Sequence, residues 1–589
     1  MTDRDALLAA VAARPRDDTP RLVFADWLDD HGDPDRAAFV RVQCAAARAA
    51  PGSRARADLL DEADDQLATG DARWLGNARE YLHDWEFRRG FLHRVRISAA
   101  DFVRHADDLF RAEPVSRVEV CGDDGWEETD ADAVRAVVAH PMFARVRSCV
   151  VVTRFFAVPL GAWLAALASN PRLTRLREFG PSGHFTSFQH PRRRGRVEGF
   201  TTSSFRAFCS ASHLRGLRSL DLSVRGGERE QLAHSVRVLE IAGAAFATGL
   251  RRLNLRGCGL TAECFERLAG DRVFARLQAL DVRATLSQLG GWQPLFGSTV
   301  LRSLRSLAVP GNLIHTLARS RVVGQLSDLR VGREEGYGHP RRDTDWQELV
   351  DAMPPPRRLS FQIHNPGGRA FRAMSRAGWL RHLRTLDIAG DSQGDVYHNP
   401  SGLRHLFRPG VMPRLVRLRL HEAADDALLG RLAEWPGLAR LESLEVTDDY
   451  LGRLDFDAFD PRHPPERART LRGVTLASDA AVERFLAMPG LEAVNRLQLR
   501  VGIDPGHTAP SVTAGERVVR SERLANVTDL TLSFHDAEDI ESRTWPVLAD
   551  PAVLPRLKSL TIHGSGAADR PTLDQSGVRR RFGRRLQAY

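Results

Sequence analysis

The sequence predicts an α/β solenoid built from one short parallel strand and one helix per repeat. Three observations predict it. From about residue 92 onward the apolar residues recur as L-x-x-L-x-L; helical stripes separate the copies; and roughly the first 45 residues follow a purely helical pattern of their own.

Ala6, Leu7, Leu8 and Val11 lie on one helical stripe. Thr19 and Pro20 then offer an N-cap and a first helical position for RLVFADWLDD, and Gly32 can close that helix in a left-handed cap. Asp33-Pro34 opens a third helix through Phe39, Val40 and Val42. Phe24, Trp27, Leu28 and Phe39 are the residues expected to tie the three together. Helices between residues 3 and 90 are expected to cover the first strand of the array, because an open solenoid end exposes apolar edges.

The clearest repeat copy is LRRLNLRGCGL at Leu250 to Leu260, followed by TAECFERLAGDRVFARLQAL. Its three leucines point to the inner side of one strand, and Cys258 packs where the chain leaves it. Thr261 can cap the next helix, Glu263 and Glu266 suit its positive end, and Phe265 and Leu268 bury one side. Such a unit cannot hide its own apolar edge, so it must stack on neighbours.

The middle apolar residue of each strand serves as a marker: Val95, Val118, Cys149, Leu176, Leu220, Leu253, Leu280, Leu307, Leu329, Leu359, Leu386, Leu418, Leu444, Val474, Leu497, Leu530 and Leu560. Seventeen markers span 465 residues, about 29 residues per step. This pattern resembles the leucine-rich repeat family, and its long helical segments resemble the ribonuclease-inhibitor-like class. The resemblance implies a horseshoe with parallel strands on the concave face and helices outside. The stretch LLAAVAARPRDDTPRLVFADWLDDHGDPDRAAFVRVQ, with WEFRRGFLHRVRISAADFVRHADDLFRAEPV at Trp85 to Val115, resembles the repeat-companion domain that precedes repeat arrays in planctomycete proteins. That resemblance implies an architecture and no reaction. The expected organisation is a helical companion over 1–48, a helical linker or N-terminal cap over 49–91, the repeat solenoid over 92–570, and a basic tail over 571–589.

Net charge is +9, from 84 basic and 75 acidic residues, and Lys558 is the sole lysine. So uniform a preference for arginine reflects genomic base composition, which makes the basic balance weak evidence for nucleic acid. Cys44, Cys121, Cys149, Cys209, Cys258 and Cys264 form no CxxC pair, fitting neither a disulfide framework nor a zinc site. The acidic start lacks the basic region of a signal peptide, and no run of 18 apolar residues occurs. These features predict a soluble cytoplasmic protein with no membrane partner.

No G-x-x-x-x-G-K-[ST], G-x-S-x-G or H-E-x-x-H motif occurs, and the 20 histidines are dispersed. No catalytic, cofactor, metal or small-molecule site is expected. The acidic run Asp29 to Asp35 around His31 lacks calcium-loop spacing and reads as one helix ending and another beginning.

Alternation along each strand predicts which residues face solvent on the concave side. Fourteen are arginines: Arg94, Arg96, Arg117, Arg175, Arg177, Arg252, Arg256, Arg283, Arg330, Arg358, Arg417, Arg419, Arg496 and Arg500. Seven are acidic: Glu119, Asp221, Asp281, Asp328, Asp387, Glu445 and Asp529. The surplus would focus a positive potential and attract an acidic partner. Phe179 is the one large aromatic expected there, so stacking contributes little. Three irregular segments are loop candidates: PSGHFTSFQHPRRRGRVEGF with Arg192, Arg193, Arg194 and Arg196; GREEGYGHPRRDTDW; and TDDYLGRLDFDAFDPRHPPERA. The tail carries Arg579, Arg580, Arg581, Arg584 and Arg585, and reads as an electrostatic arm, a solvated end or a capping helix.

The function expected is non-enzymatic recognition of an acidic protein, with Arg252, Arg256, Arg283, Arg330, Arg417, Arg419, Arg496, Arg500 and the Arg192 to Arg194 loop as partner-binding residues. Two alternatives stand beside it. One is nucleic-acid binding through the basic groove and tail. The other, by analogy with leucine-rich-repeat GTPase activators, is regulation of a nucleotide-hydrolysing partner.

Overall fold

A computed structural model describes every residue except 1, 51–53, 123–129, 153–159, 183–201, 224–237, 259, 284–290, 311–312, 314–315, 318, 333–358, 365–367, 390–404, 422–425, 448–453, 457–458, 460, 503–512, 536–537, 564–576, 583–585 and 589. The chain forms two compact units. The first comprises residues 1–254, 258–267 and 272–276; the second comprises 255–257, 268–271 and 277–589.

The first unit opens with helices α1 (Asp3–Ala13), α2 (Thr19–Asp30), α3 (Pro34–Arg48), α4 (Arg54–Leu75) and α5 (Ala78–Tyr81). Gly32 has φ +82°, as its place after α2 predicts, and Asp33 caps α3 by accepting the Arg36 N–H at 3.3 Å. The cap of α2 is Asp18, one residue before the expected Thr19, which becomes the first helical residue. The expected helical stretch over 49–91 breaks at Leu82. There β1 (Leu82–Arg88) runs antiparallel to β2 (Phe91–Ser98) through a two-residue turn, Arg89-Gly90, with φ +53° and +84°. Positive φ at both turn residues matches the right-handed twist of the strands. Gly90 is required twice over, because a Cβ there would lie 2.4 Å from the Val40 side chain of α3.

Phe91 packs into one core with Leu8, Val11, Phe24, Ala25, Leu28, Ala37, Val40 and Cys44, which joins α1, α2 and α3 to the hairpin. Arg36 is buried beside it, paired with Glu113 at 2.9 Å and stacked over Phe87 and Trp74. Arg4 donates to the Ala112 carbonyl and Arg147 to the Ala12 carbonyl, which fixes α1 against the first repeats.

Parallel pairing then takes over. Strands β3 (Arg117–Cys121), β4 (Ser148–Val152), β5 (Glu178–Ser182), β6 (Ser219–Asp221) and β7 (Arg252–Asn254) continue from β2 in sequence order. In the second unit the strands are β8 (Ala279–Asp281), β9 (Ser306–Pro310), β10 (Asp328–Gly332), β11 (Leu359–His364), β12 (Leu383–Ala389), β13 (Arg417–His421), β14 (Ser443–Thr447), β15 (Leu454–Asp455), β16 (Thr470–Leu476), β17 (Arg496–Gly502), β18 (Asp529–His535), β19 (Ser559–His563) and β20 (Leu586–Ala588). All pair in parallel with register held repeat by repeat; Leu386, Leu418, Leu444, Leu471, Leu497, Leu530 and Leu560 align and are buried. One residue before each strand a backbone N–H reaches the preceding repeat, as from Arg147 to Ser116 and from Arg177 to Arg147. Buried α- or 3-10-helical turns return the chain to the next strand. This is the strand, turn and helix unit of a leucine-rich repeat, stacked within each unit of the chain.

Three expected markers shift. Phe179 aligns with Cys149 and Leu220 in place of Leu176, Phe361 with Leu329 and Leu386 in place of Leu359, and Leu471 with Leu444 and Leu497 in place of Val474. In β16 the cause is a bulge at Arg472-Gly473, where Gly473 has φ +85° and approaches the Val446 carbonyl too closely for any side chain. The last repeat also extends beyond residue 570. β20 pairs with β19, and Arg581, expected as a tail cation, donates to the carbonyls of Leu548, Asp550, Val553 and Leu554.

Candidate binding face

The side chains that leave each strand away from the core form a surface on which successive repeats present the same positions, which makes it a place where repetition can build a site. Correcting the three markers removes Arg175, Arg177 and Arg358 from it and adds Glu178 and Arg472. Arg177 turns back onto its own backbone, donating to the Thr174 and Leu176 carbonyls; Arg358 lies outside the described residues. Phe179 is core, 2% exposed and near Trp163 and Phe208, so the expected aromatic on this face is absent.

In the first unit the face carries an ion-pair network, most closely packed around Glu119 and opening toward Arg252. Glu119 on β3 is 6% exposed and accepts from Arg94 at 3.1 Å, Arg96 at 3.3 Å and Arg117 at 3.2 Å. Arg94 also reaches Asp84 and Glu86 on β1. Burial works against its charge, but Asp84 and Glu119 outweigh that and hold the guanidinium above its usual range. Glu178 continues the chain, paired with Arg252 and bonded by Ser148 Oγ, while Arg252 Nε donates to Ser219 Oγ.

In the second unit two rows cross the strands. The first runs Thr385, Arg417, Ser443, Thr470, Arg496 and Asp529; the second runs Asp387, Arg419, Glu445 and Arg472. Arg419 lies 2.7 Å from Glu445 and 3.6 Å from Asp387, Arg472 lies 3.9 Å from Glu445, and Arg496 lies 3.7 Å from Asp529. Burial lowers the pKa of Arg419, and Glu445 and Asp387 more than reverse that. Desolvation pushes Asp387 up to about 6, against the pull of Arg419. Four arginines face three carboxylates here, and the side chains of Arg419, Arg472 and Arg496 remain 48%, 42% and 61% exposed.

The other expected residues divide. Arg283 and Arg330 clamp Asp281 and Asp328 of their own strands. Arg256 is half-buried, and Arg500, expected in solvent, is buried between the positions of Thr475 and Ser533. Arg192, Arg193 and Arg194 lie outside the described residues. In the third irregular segment Phe456 and Phe459 are buried, and β15 pairs with β16. Arg472 was hidden because its strand carries a bulge; the signal for it is Gly473, a glycine inside the strand TLRGVTL.

Elsewhere the polar residues are absorbed structurally. Arg73 pairs with Asp33 and Asp35, Arg41 with Asp26 and Asp29, and His31 stacks on Trp27 and bonds its carbonyl. All six cysteines are buried and none forms a disulfide, and burial pushes the Cys44 thiol up to about 11, away from nucleophilic use. Cys258 Sγ sits 3.4 Å from the Leu222 carbonyl at the predicted turn. Among the described residues no helix is long and apolar enough to cross a membrane.

Among the solved structures similar to the chain are three of low identity. A leucine-rich-repeat protein of Leptospira interrogans is 10% identical over 61% of this chain and 85% of its own, with a TM-score of 0.26. A Bacteroides fragilis protein is 11% identical over 55% of this chain and 74% of its own, also at 0.26. The TLR13–ssRNA13 complex contains a chain 14% identical over 80% of this one and 67% of its own, at 0.25. No family model matches the chain, and no curated protein is similar to it.

Proposed function

We propose that the chain is a non-enzymatic protein-interaction scaffold whose second unit takes an acidic segment of a protein partner on strands β12 to β17. In this reading the chain is a ribonuclease-inhibitor-like repeat protein, residues 1–48 are a companion domain, and the helices that follow it up to Tyr81 help it to cap the first strands. The observation that carries the binding reading is the pair of rows: Arg417, Arg419, Arg472 and Arg496 stand on a rigid sheet at fixed spacing, with more cationic than anionic groups and much of their surface in water. Arginine on a rigid element recognises carboxylates at low entropic cost. Large aromatics are missing from the described part of this face, which favours carboxylates over stacked bases.

The test is fluorescence anisotropy with a labelled glutamate-rich peptide and a single-stranded oligonucleotide of matched charge. Wild-type protein is expected to bind the peptide, and R417E/R419E/R472E to weaken it by about tenfold or more while the melting temperature stays nearly constant. Equal binding by the variant overturns the proposal. Tighter binding of the oligonucleotide with a steep salt dependence replaces it with nucleic-acid recognition.

A further inference from the structure

The first unit keeps its acids and part of its arginines apart. On the strand face Glu119 and Glu178 supply carboxylates to the arginines beside them. The turns that lead into β4 to β7 supply none. PMFARVR, PRLTRLR, ASHLRGLR and ATGLR, ending at Arg147, Arg177, Arg218 and Arg251, hold eight arginines and no acidic residue, in a chain with 75 acidic against 84 basic residues. A genomic preference for arginine over lysine does not remove Asp and Glu, so composition leaves this segregation unexplained.

Backbone pairing lines up the last arginine of each turn along the rim where the chain enters the strands. Arg177 N–H donates to the Arg147 carbonyl at 2.7 Å, Arg218 N–H to Arg177 at 2.7 Å and Arg251 N–H to Arg218 at 2.8 Å. The next repeat leaves room for two of the side chains: the Arg177 guanidinium lies against Gly216 and that of Arg218 against Gly249, where a Cβ would collide with it. Arg145, Arg147 and Arg177 donate to backbone carbonyls, which neutralise no charge. Among the described residues Arg172, Arg175, Arg215, Arg218 and Arg251 form no ion pair; Arg175 is half-buried and the other four are exposed. Burial, and then the like charges of Arg175 and Arg177, hold Arg147 below its usual range, and burial with Arg218 and Arg175 does the same to Arg177. Cations that repel one another on a rigid rim are relieved by a shared anion.

Spacing and surroundings say which anion. Two arginines per repeat, with strands about 4.8 Å apart, put one positive charge about every 2.4 Å of rim. An extended acidic peptide turns a carboxylate toward such a rim only about every 6.8 Å. A chain of phosphates carries charge on every unit and offers each guanidinium several acceptor oxygens. Thr174, Ser212 and Thr248 are the exposed neighbours of the arginines, while Phe143 and Phe246 are buried, so the rim gives a base nothing to stack on.

We propose that the rim formed by Arg147, Arg175, Arg177, Arg215, Arg218 and Arg251 binds inorganic polyphosphate, a linear anion that is phosphate along its whole length. The site uses other residues than the β12 to β17 face, so either reading can fail alone.

The experiment is isothermal titration of the full chain with short-chain inorganic polyphosphate, in wild type, in R215E/R218E/R251E and in R417E/R419E/R472E. The two variants change net charge equally, so only position separates them. Wild type is expected to bind, the rim variant to lose about tenfold or more in affinity, and the face variant to stay within about twofold of wild type. Affinity is expected to fall steeply with salt, because bound phosphates release counterions. Where charge reversal lowers the melting temperature, R215Q/R218Q/R251Q reads the same site by neutralisation, with an expected loss of about threefold or more. No binding by wild type, equal losses in the rim and face variants, or full binding by both rim variants overturns the proposal. Tighter binding of an oligonucleotide or a glutamate-rich peptide of matched charge, lost in the rim variant, overturns polyphosphate as the ligand.

Discussion

The strand faces of the two units use the same residue types for different ends. In the first, Glu119 is nearly buried and holds three arginines, of which Arg94 is also held by Asp84 and Glu86, and Arg117 lies 4.0 Å from Glu178. In the second, Arg419 and Glu445 pair on an open face where Arg417 and Arg496 stay in water. Burial separates them. A desolvated ion pair is strongly destabilised by losing one partner, whereas an exposed one contributes little. Counting arginines along a sequence cannot distinguish the two, and the first unit shows that a basic count need not leave a basic surface.

The contrast breaks most sharply at Glu119. Glu119→Gln leaves Arg94, Arg96 and Arg117 around a neutral group, and the loss is expected to be about 3–5 kcal/mol. Glu445→Gln is expected to cost only about 1 kcal/mol, because Arg419 keeps Asp387 and much of its own hydration. Urea denaturation of both variants measures the pair of values; equal losses would erase the distinction between the faces. Next in size is Gly90→Ala, which forces a side chain into φ +84° and onto Val40. A loss of about 2 kcal/mol, confined to the first unit, is expected. Hydrogen exchange of α1 to α3 reads whether the helices loosen from the hairpin.

Much of this was legible in the residues, for physical reasons that also mark where legibility ends. Leucine spacing reports burial, so Leu253, Leu280 and Leu418 stand where predicted. Gly32 and Asp33 report backbone geometry, which is local. Arg417, Arg419 and Arg496 stand exposed on their strands, at the positions that alternation predicts. The ion-pair partners were not legible, because in the first unit Glu178, Arg252 and Ser219 meet only once register is set, and register moved in β5, β11 and β16. The hairpin at Arg89-Gly90 went unread because β1 lies in a stretch judged by its helical neighbours, and β20 because five arginines read as tail.

The next prediction uses pH to sharpen the same comparison. Asp387 is desolvated on β12 and titrates near 6 in the folded chain, facing Arg419 and Glu445, with Arg330 and Arg283 further along the sheet. An unfolded aspartate titrates near 3.9. The folded state therefore holds its proton more tightly, so Asp387 favours folding below about pH 4, and that contribution is lost as pH rises to about 6. Asp387→Asn removes the penalty. It is expected to match wild type at pH 4 and to exceed it by about 3 kcal/mol at pH 8. Denaturation across that range reads the slope, and parallel curves for the two proteins would show that Asp387 is ionised without cost.

The smallest stability effect belongs to the face arginines themselves. In Arg417→Ala and Arg496→Ala, exposed guanidiniums are removed from strands whose alternate residues stay buried, so each change is expected to stay within about 0.5 kcal/mol. Arg94→Ala, by contrast, strips Glu119, Asp84 and Glu86 of a shared cation and is expected to cost several times more, about 3 kcal/mol. Melting curves of the three variants place them on one scale. If Arg417→Ala unfolds the protein as readily as Arg94→Ala, the second unit's arginines hold the repeats together as the first unit's do, and residues selected for binding would have to be sought off the sheet.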